Sequence, residues 1–358
     1  MSFYWLAEPF LYTCLAVLFG FLIMPRIHPV IQTSTRMINW ALLGIVICAF
    51  VPVLRIIVFF ANDTNWFIIF RSVMFSFAEG KAYVWTLIFC ILLLMMIRIN
   101  NTNKNRHLYT AALVLTAIGL IATLSWSSHS SSYFGMQGFW NHLIHLLSVT
   151  VWSGILIVTS RMMPNHEKHW RSFLSWYHPF AAAIMVVILM SGLMLNVKTD
   201  PDYINSWVTS YGQALLMKHL LMIPLLIMAF FNGFIMKKRL GQEQFNPQRW
   251  LMLEGILVLL IYTVTGFLNQ QPAPHELNPE TMKLSASGLY TFWNQGNPIT
   301  YPVHWNIDAI AILMYLLAAV SILAMYVILK KNKNTYAALV CGVLFCLVSF
   351  AGLIHAIA

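Results

Sequence analysis

The sequence predicts an all-α fold, a polytopic transmembrane helix bundle of about ten spans with both termini extracytoplasmic. Three observations predict it. Hydrophobic residues make up 59% of the 358 and charged residues only 9%, far from the roughly quarter-charged composition of a soluble domain. Apolar runs of about 20 residues recur along the whole length, each enough to cross a hydrocarbon core of roughly 30 Å as a helix. Lys and Arg gather in alternate loops, as the positive-inside rule requires. The runs lack the alternation of barrel strands, so helices are the spans.

The spans are expected at Phe3 to Met24, Ile38 to Phe60, Ala78 to Ile97, Leu108 to Trp126 and Phe139 to Met163. Five more follow at Ser172 to Val197, Gln213 to Met236, Trp250 to Gln270, Asn306 to Leu329 and Thr335 to Ala358. The opening "MSFYWLAEPF" has no basic stretch before its apolar run, so the first span is expected to be retained rather than cleaved as a signal. "WFIIFRSVMFSF", residues 66–77, is too short to span and reads as an interfacial or re-entrant helix.

The loops after the odd-numbered spans are basic: Arg26 and Arg36; Arg98, Lys104 and Arg106; Arg161, Lys168 and Arg171; Lys237, Lys238, Arg239 and Arg249; Lys330, Lys331 and Lys333. The others carry Asp63 with Arg71, then no charge in "SSHSSSYFGMQG", then Lys198 with Asp200 and Asp202, then Glu276, Glu280 and Lys283. This asymmetry places the basic loops in the cytoplasm and the protein in the cytoplasmic membrane. The net charge of +10 is spread over these loops, which argues for topology and against a nucleic-acid partner. Residues 1–358 read as a single integral membrane domain in a lipid bilayer, with residues 271–305 as a long outer loop rich in Pro, Gly and Asn. The five cysteines lie inside apolar runs without a CxxC and read as core residues.

A polar layer crosses the outer half of this bundle. His145 lies about six residues into its span, roughly 9 Å deep. His219, Glu8, Arg55, Met190 and Asp308 return to a similar level, with Glu79, Lys81, His142 and Lys218 nearby. Ionisable side chains in hydrocarbon pair with one another, face the bundle interior or line a wet path. Glu8, Arg55, Lys218 and Asp308 form a supporting polar layer in which Lys218 and Asp308 would satisfy each other.

His142 and His145, three positions apart, share one helix face and present two imidazoles to one point, a geometry suited to a metal ion. His129 in the loop above and His219 across the bundle extend the ligand set, and Met190 adds a thioether. Imidazole with thioether suits copper, as Cu(II) on nitrogen or Cu(I) on sulfur. The competing reading is packing: a lone membrane His is commonly a hydrogen-bonded core residue, and 20 methionines are spread over the spans. His28 and His107 read as interfacial, a second metal station is the lesser of the readings of His178, and His275, His304 and His355 are outer capture candidates, each weak alone. His166 and His169 lie in a basic loop without HExxH spacing, and no Walker A motif occurs.

The stretch from about His129 to Pro274 carries a series of short motifs: "SSHSS", "HLLSVTVWSGIL", "MSGLML", "SYGQALLMKHLLMIPLLIMAFFN" and "QRWLMLEGILVLLIYTVTGFLNQQPAP". In order and spacing it resembles the CopD family of copper-resistance and copper-transport membrane proteins. His129, His145, Trp152, Gly154, Tyr211, Gly212, Lys218, Asn232, Arg249, Glu254 and Pro272 stand at its motif positions. Ile155 replaces a second glycine, and His142 is additional. The resemblance implies copper movement with His129 and His145 as ligands, residues 129–274 as the CopD-like core, and no enzymatic activity. The soluble copper-binding domain fused to some relatives is missing from this sequence, so a separate extracytoplasmic copper-binding protein is an expected partner. The alternative is a haem b-binding membrane oxidoreductase with His145 and His219 as axial ligands; no CxxCH for covalent haem occurs.

Overall fold

A computed structural model describes residues 3–61, 65–99, 106–242, 245–274, 278–295, 297–331 and 334–357. Asp63, Lys104, His275, Glu276 and Lys333, and the side chains of Arg106 and His107, lie outside the described residues. The helices are α1 (Ala7–Ile27), α2 (Thr35–Phe60), α3 (Trp66–Ser76), α4 (Ala78–Ile99), α5 (Arg106–Trp126), α6 (His129–Met162), α7 (Glu167–Thr199), α8 (Ser210–Phe234), α9 (Met236–Arg239), α10 (Pro247–Asn269), α11 (Pro279–Ser285), α12 (Gly288–Trp293), α13 (Ala309–Lys331) and α14 (Thr335–Ile357). Among the described residues, ten helices are long and apolar enough to cross a membrane, which makes this a multi-pass membrane protein. The short α3 is the segment expected to be too short to span.

Side-chain caps set where several spans begin. Ser34 accepts from the Met37 amide at the start of α2, and Thr209 from the Gly212 amide at the start of α8. Asn246 caps α10 through the Arg249 amide, with Pro247 in the first turn, where its missing N–H costs nothing. Within the spans, hydroxyls fold back on the preceding turn: Ser153 on Val149, Ser191 on Val187 and Ser321 on Leu317. Each hydroxyl thereby finds an acceptor where there is no water to supply one.

Helix α6 departs from the expected boundary. The sequence places a loop before a span starting at Phe139, whereas the helix begins at His129, capped by Ser128. It breaks at Gly135 (φ 55°, ψ −136°), a conformation glycine adopts without penalty. The short leading stretch then lies against the start of the span. A Cβ added at Gly138 would stand 1.9 Å from the Ser130 carbonyl oxygen, so only glycine fits there.

The chain forms two compact units. Residues 1–164 with 175–195 make the first, and residues 165–174 with 196–358 the second, so the division passes through α7. In the first unit α1 packs on α6 and α2, α2 on α4, α4 on α5, and α5 on α6. Thr86 and Thr123 join α4 to α5 by a buried hydrogen bond of 2.9 Å. In the second unit α13 packs on α14, α8 on α10, and α14 on α8.

Helix α1 crosses α6 at close range. A Cβ at Gly154 would stand 2.2 Å from the Ala16 carbonyl oxygen, and one at Gly20 would stand 2.3 Å from the Gly154 carbonyl oxygen. Backbone meets backbone, the close approach that small residues permit between membrane helices. Replacing Gly154 with Val forces the two helices apart and should destabilise the protein by about 1–3 kcal/mol. A lowered thermal midpoint in detergent, read by tryptophan fluorescence, is the expected result; an unchanged midpoint would contradict this packing.

Candidate metal centre

His145 is the most firmly positioned of the expected ligands. Its Nδ1 lies 3.0 Å from Ser191 Oγ and 3.2 Å from the Ile188 carbonyl oxygen, both on α7 within the first unit. The carbonyl can only accept, and the Ser191 hydroxyl proton is directed at the Val187 carbonyl 2.6 Å away. Nδ1 must therefore carry the proton, which leaves the lone pair of the neutral ring on Nε2. Gly192 makes room for the ring: a Cβ there would stand 3.2 Å from His145 Cε1. The motif "MSGLML" thus supplies both the acceptor and the space for the imidazole.

His142 lies one turn earlier on α6 and is half-buried, while His129 at the start of that helix is exposed. Met190 is 54% exposed on α7, next to Ser191. In the second unit His219 has its Nδ1 2.7 Å from the Tyr203 hydroxyl, with the two rings edge to face. A hydroxyl can donate or accept, so this contact does not by itself fix the His219 tautomer. Among the described residues, no three or more His, Cys, Asp or Glu side chains converge closely enough to hold a metal ion.

Of the supporting polar residues, Glu8 and Asp308 have partners close by. Glu8 accepts from Tyr12 one turn along α1. Arg55 lines a cavity of about 550 Å³ in the first unit with Tyr4, Phe59, Phe60, Phe77 and Glu79. Asp308 pairs with His355 rather than with Lys218, at 3.1 and 3.2 Å from Nε2 to the two carboxylate oxygens. It also accepts from the Ala311 amide at the start of α13, which together with His355 lowers its pKa. His28, at the end of α1, is 7% exposed and accepts a 2.7 Å hydrogen bond from the Trp176 indole. His166 and His169 lie with ring centroids 5.4 Å apart, and His304 is exposed.

A polar cap covers the end of α8 that carries His219. Asp200, 1% exposed, accepts from Ser206 at 2.6 Å. Asp202 accepts from Asn205 at 2.7 Å and from the Tyr301 hydroxyl at 2.9 Å. Burial pushes the Tyr203 hydroxyl up to about 12, so it stays protonated beside His219. The roles of Ser191, Gly192 and Tyr203 were not evident from the sequence, because each depends on which helix faces which.

Residues 171–268 match the family model for "Copper resistance protein D", CopD. This segment, which spans most of α7 with α8 and α10, is similar to the CopD family. It is 24% identical over 222 residues to the copper transport protein CutJ of Bacillus subtilis, covering 59% of this chain and 40% of that one. It is 25% identical over 206 residues to the inner membrane protein YebZ of Escherichia coli, covering 53% of this chain and 68% of that one. No solved structure matches the chain. Ser191, Gly192, Lys218, His219, Asn232 and Glu254 fall inside the family segment, whereas His129, His142 and His145 precede it.

Asp200 gives the cap a pH dependence. Burial raises its pKa from 3.8 to about 6, more than the Ser206 hydrogen bond lowers it. Between those values the folded protein binds more protons than the unfolded chain, so stability falls as pH rises through this window. Asp200→Asn should flatten that decline, measured as thermal midpoint against pH; an unchanged slope would show that Asp200 is not buried as described.

Proposed function

We propose that this chain transports copper across the cytoplasmic membrane, inward, from a site facing the extracytoplasmic side. The observation that carries the reading is the fixed His145 ring, whose Nδ1–H is committed to α7 and whose lone pair therefore sits on Nε2. A metal-binding histidine is commonly prepared in this way, its second nitrogen donating to a carbonyl or hydroxyl that fixes the ring. His142 on the same face and His129 at the mouth supply further nitrogens in the first unit, and Met190 a thioether. His219 is the candidate ligand of the second unit. An open set of few ligands suits a carrier, because binding must be favourable enough to admit the ion and weak enough to release it. Similarity to a copper transport protein and to the CopD family supports copper as the cargo.

The charge asymmetry of the loops supports an orientation with both termini outside, the end of α6 that carries the histidines facing outward. A separate copper-binding protein on that side would deliver the ion, and a transporter of this kind performs no catalysis.

Purified protein should bind copper, and the double variant His142→Ala, His145→Ala should lose that copper while remaining folded, read by circular dichroism and monodisperse elution. Copper entry into proteoliposomes should fall with it. Ser191→Ala, which removes one acceptor of the His145 proton, should weaken copper affinity about 10-fold or more. A colourless protein with copper bound supports the transporter. A strong Soret band, or copper content indifferent to both histidines, would overturn it.

A further inference from the structure

Glu254 and Asn232 form a buried polar pair between α10 and α8 that the copper reading does not use. Glu254 is 3% exposed and Asn232 6% exposed. The Asn232 side-chain N–H donates to Glu254 Oε2, while Asn232 Oδ1 is buried without a hydrogen-bond donor. The pair lies in the second unit, near the end of α8 followed by Lys237, Lys238 and Arg239.

A charge count shows what the pair lacks. An ionised carboxylate here would have a single amide donor and would share its surroundings with a second unsatisfied acceptor. Burying such an anion costs several kcal/mol, and among the described residues no cation forms an ion pair with it. Of the cations at this end, Lys237, Lys238 and Arg249 are exposed, and Arg239 bonds the Leu329 and Lys330 carbonyls and covers the Trp250 ring, 5.7 Å away. Lys218 and His219 stand toward the opposite end of α8. On α14, which packs against both helices, Cys346 donates to the Leu220 carbonyl, and Cys341, Tyr336 and His355 are its other titratable residues. Tyr262 lies further along α10 itself.

One proton resolves the deficit. A protonated Glu254 carries no charge, keeps its carbonyl as acceptor for the Asn232 N–H, and gains an O–H that the unsatisfied Asn232 oxygen can accept. We propose that Glu254 is an intramembrane proton-binding site, held as a neutral acid by reciprocal pairing with Asn232.

Infrared spectroscopy of the full-length protein in lipid tests this without reference to any cargo. At neutral pH the wild type should show the carbonyl stretch of a protonated carboxylic acid, shifted on transfer to D2O. Glu254→Gln, which keeps the neutral shape, should abolish the band. Asn232→Ala should move it to the higher frequency of an acid with fewer hydrogen bonds, which distinguishes loss of the pair from loss of the fold. A wild type without the band, or a band unchanged in Glu254→Gln, would overturn the assignment. Failure of copper binding with this band intact would count against the transport reading alone.

Discussion

The absence of water in the hydrocarbon interior is the constraint on which this structure turns. Every polar side chain there must take its partner from a neighbouring helix or from its own preceding turn, since an unpaired group costs on the order of 2–7 kcal/mol. Ser153, Ser191 and Ser321 meet the requirement locally by folding back on backbone carbonyls. Thr86 with Thr123, Trp176 with His28, and His145 with Ser191 meet it between helices. These bonds do more than satisfy donors and acceptors. Each fixes the rotation of one helix against another, because a ring or hydroxyl reaches its partner only from one face.

Lipid tails compete equally with apolar side chains, so apolar contact alone drives little helix association in a bilayer, and shape must supply the rest. Glycine provides it where backbone approaches backbone. Gly20 and Gly154 let α1 lie on α6, and Gly212 lets α8 begin against residues 205–208, where a Cβ would meet the Ser206 carbonyl oxygen at 2.1 Å. Two of these three stand in the short motifs through which the sequence resembles its family. The motif "MSGLML" combines both demands, with Ser191 holding a proton donor and Gly192 admitting the ring that carries it.

The spans were legible because composition alone dictates them: a run of about 20 apolar residues has few other ways to exist. The pairing of His142 and His145 on one face followed from helical spacing. What could not be read were partners distant in sequence, because the rotation of each helix is a property of the assembled bundle. His145 meets a serine 46 residues later, and Asp308 meets a histidine 47 residues later. Asp308 and Lys218 looked complementary by charge and depth, yet His355 already lies within reach of the Asp308 carboxylate. The early start of α6 was hidden because "SSHSSSYFG" has turn composition; Ser128 and Gly135 give it a capped helical stretch and then a break.

The two best-placed imidazoles differ in a way that bears on mechanism. The His145 Nδ1 faces a carbonyl and a hydroxyl already committed as a donor, so its proton is fixed and the opposite nitrogen presents a lone pair. His219 faces the Tyr203 hydroxyl, which can reverse its role by rotating its proton. When Tyr203 donates, the lone pair of His219 is consumed at Nδ1 and Nε2 carries the proton. When Tyr203 accepts, Nε2 becomes the basic nitrogen. The two states differ in tautomer, so passing between them moves the ring proton from Nε2 to Nδ1 as well as turning the hydroxyl; the contact is compatible with either tautomer of His219, whereas the His145 arrangement selects one. The hydrogen-bond partner thus distinguishes two histidines that composition and depth make look alike.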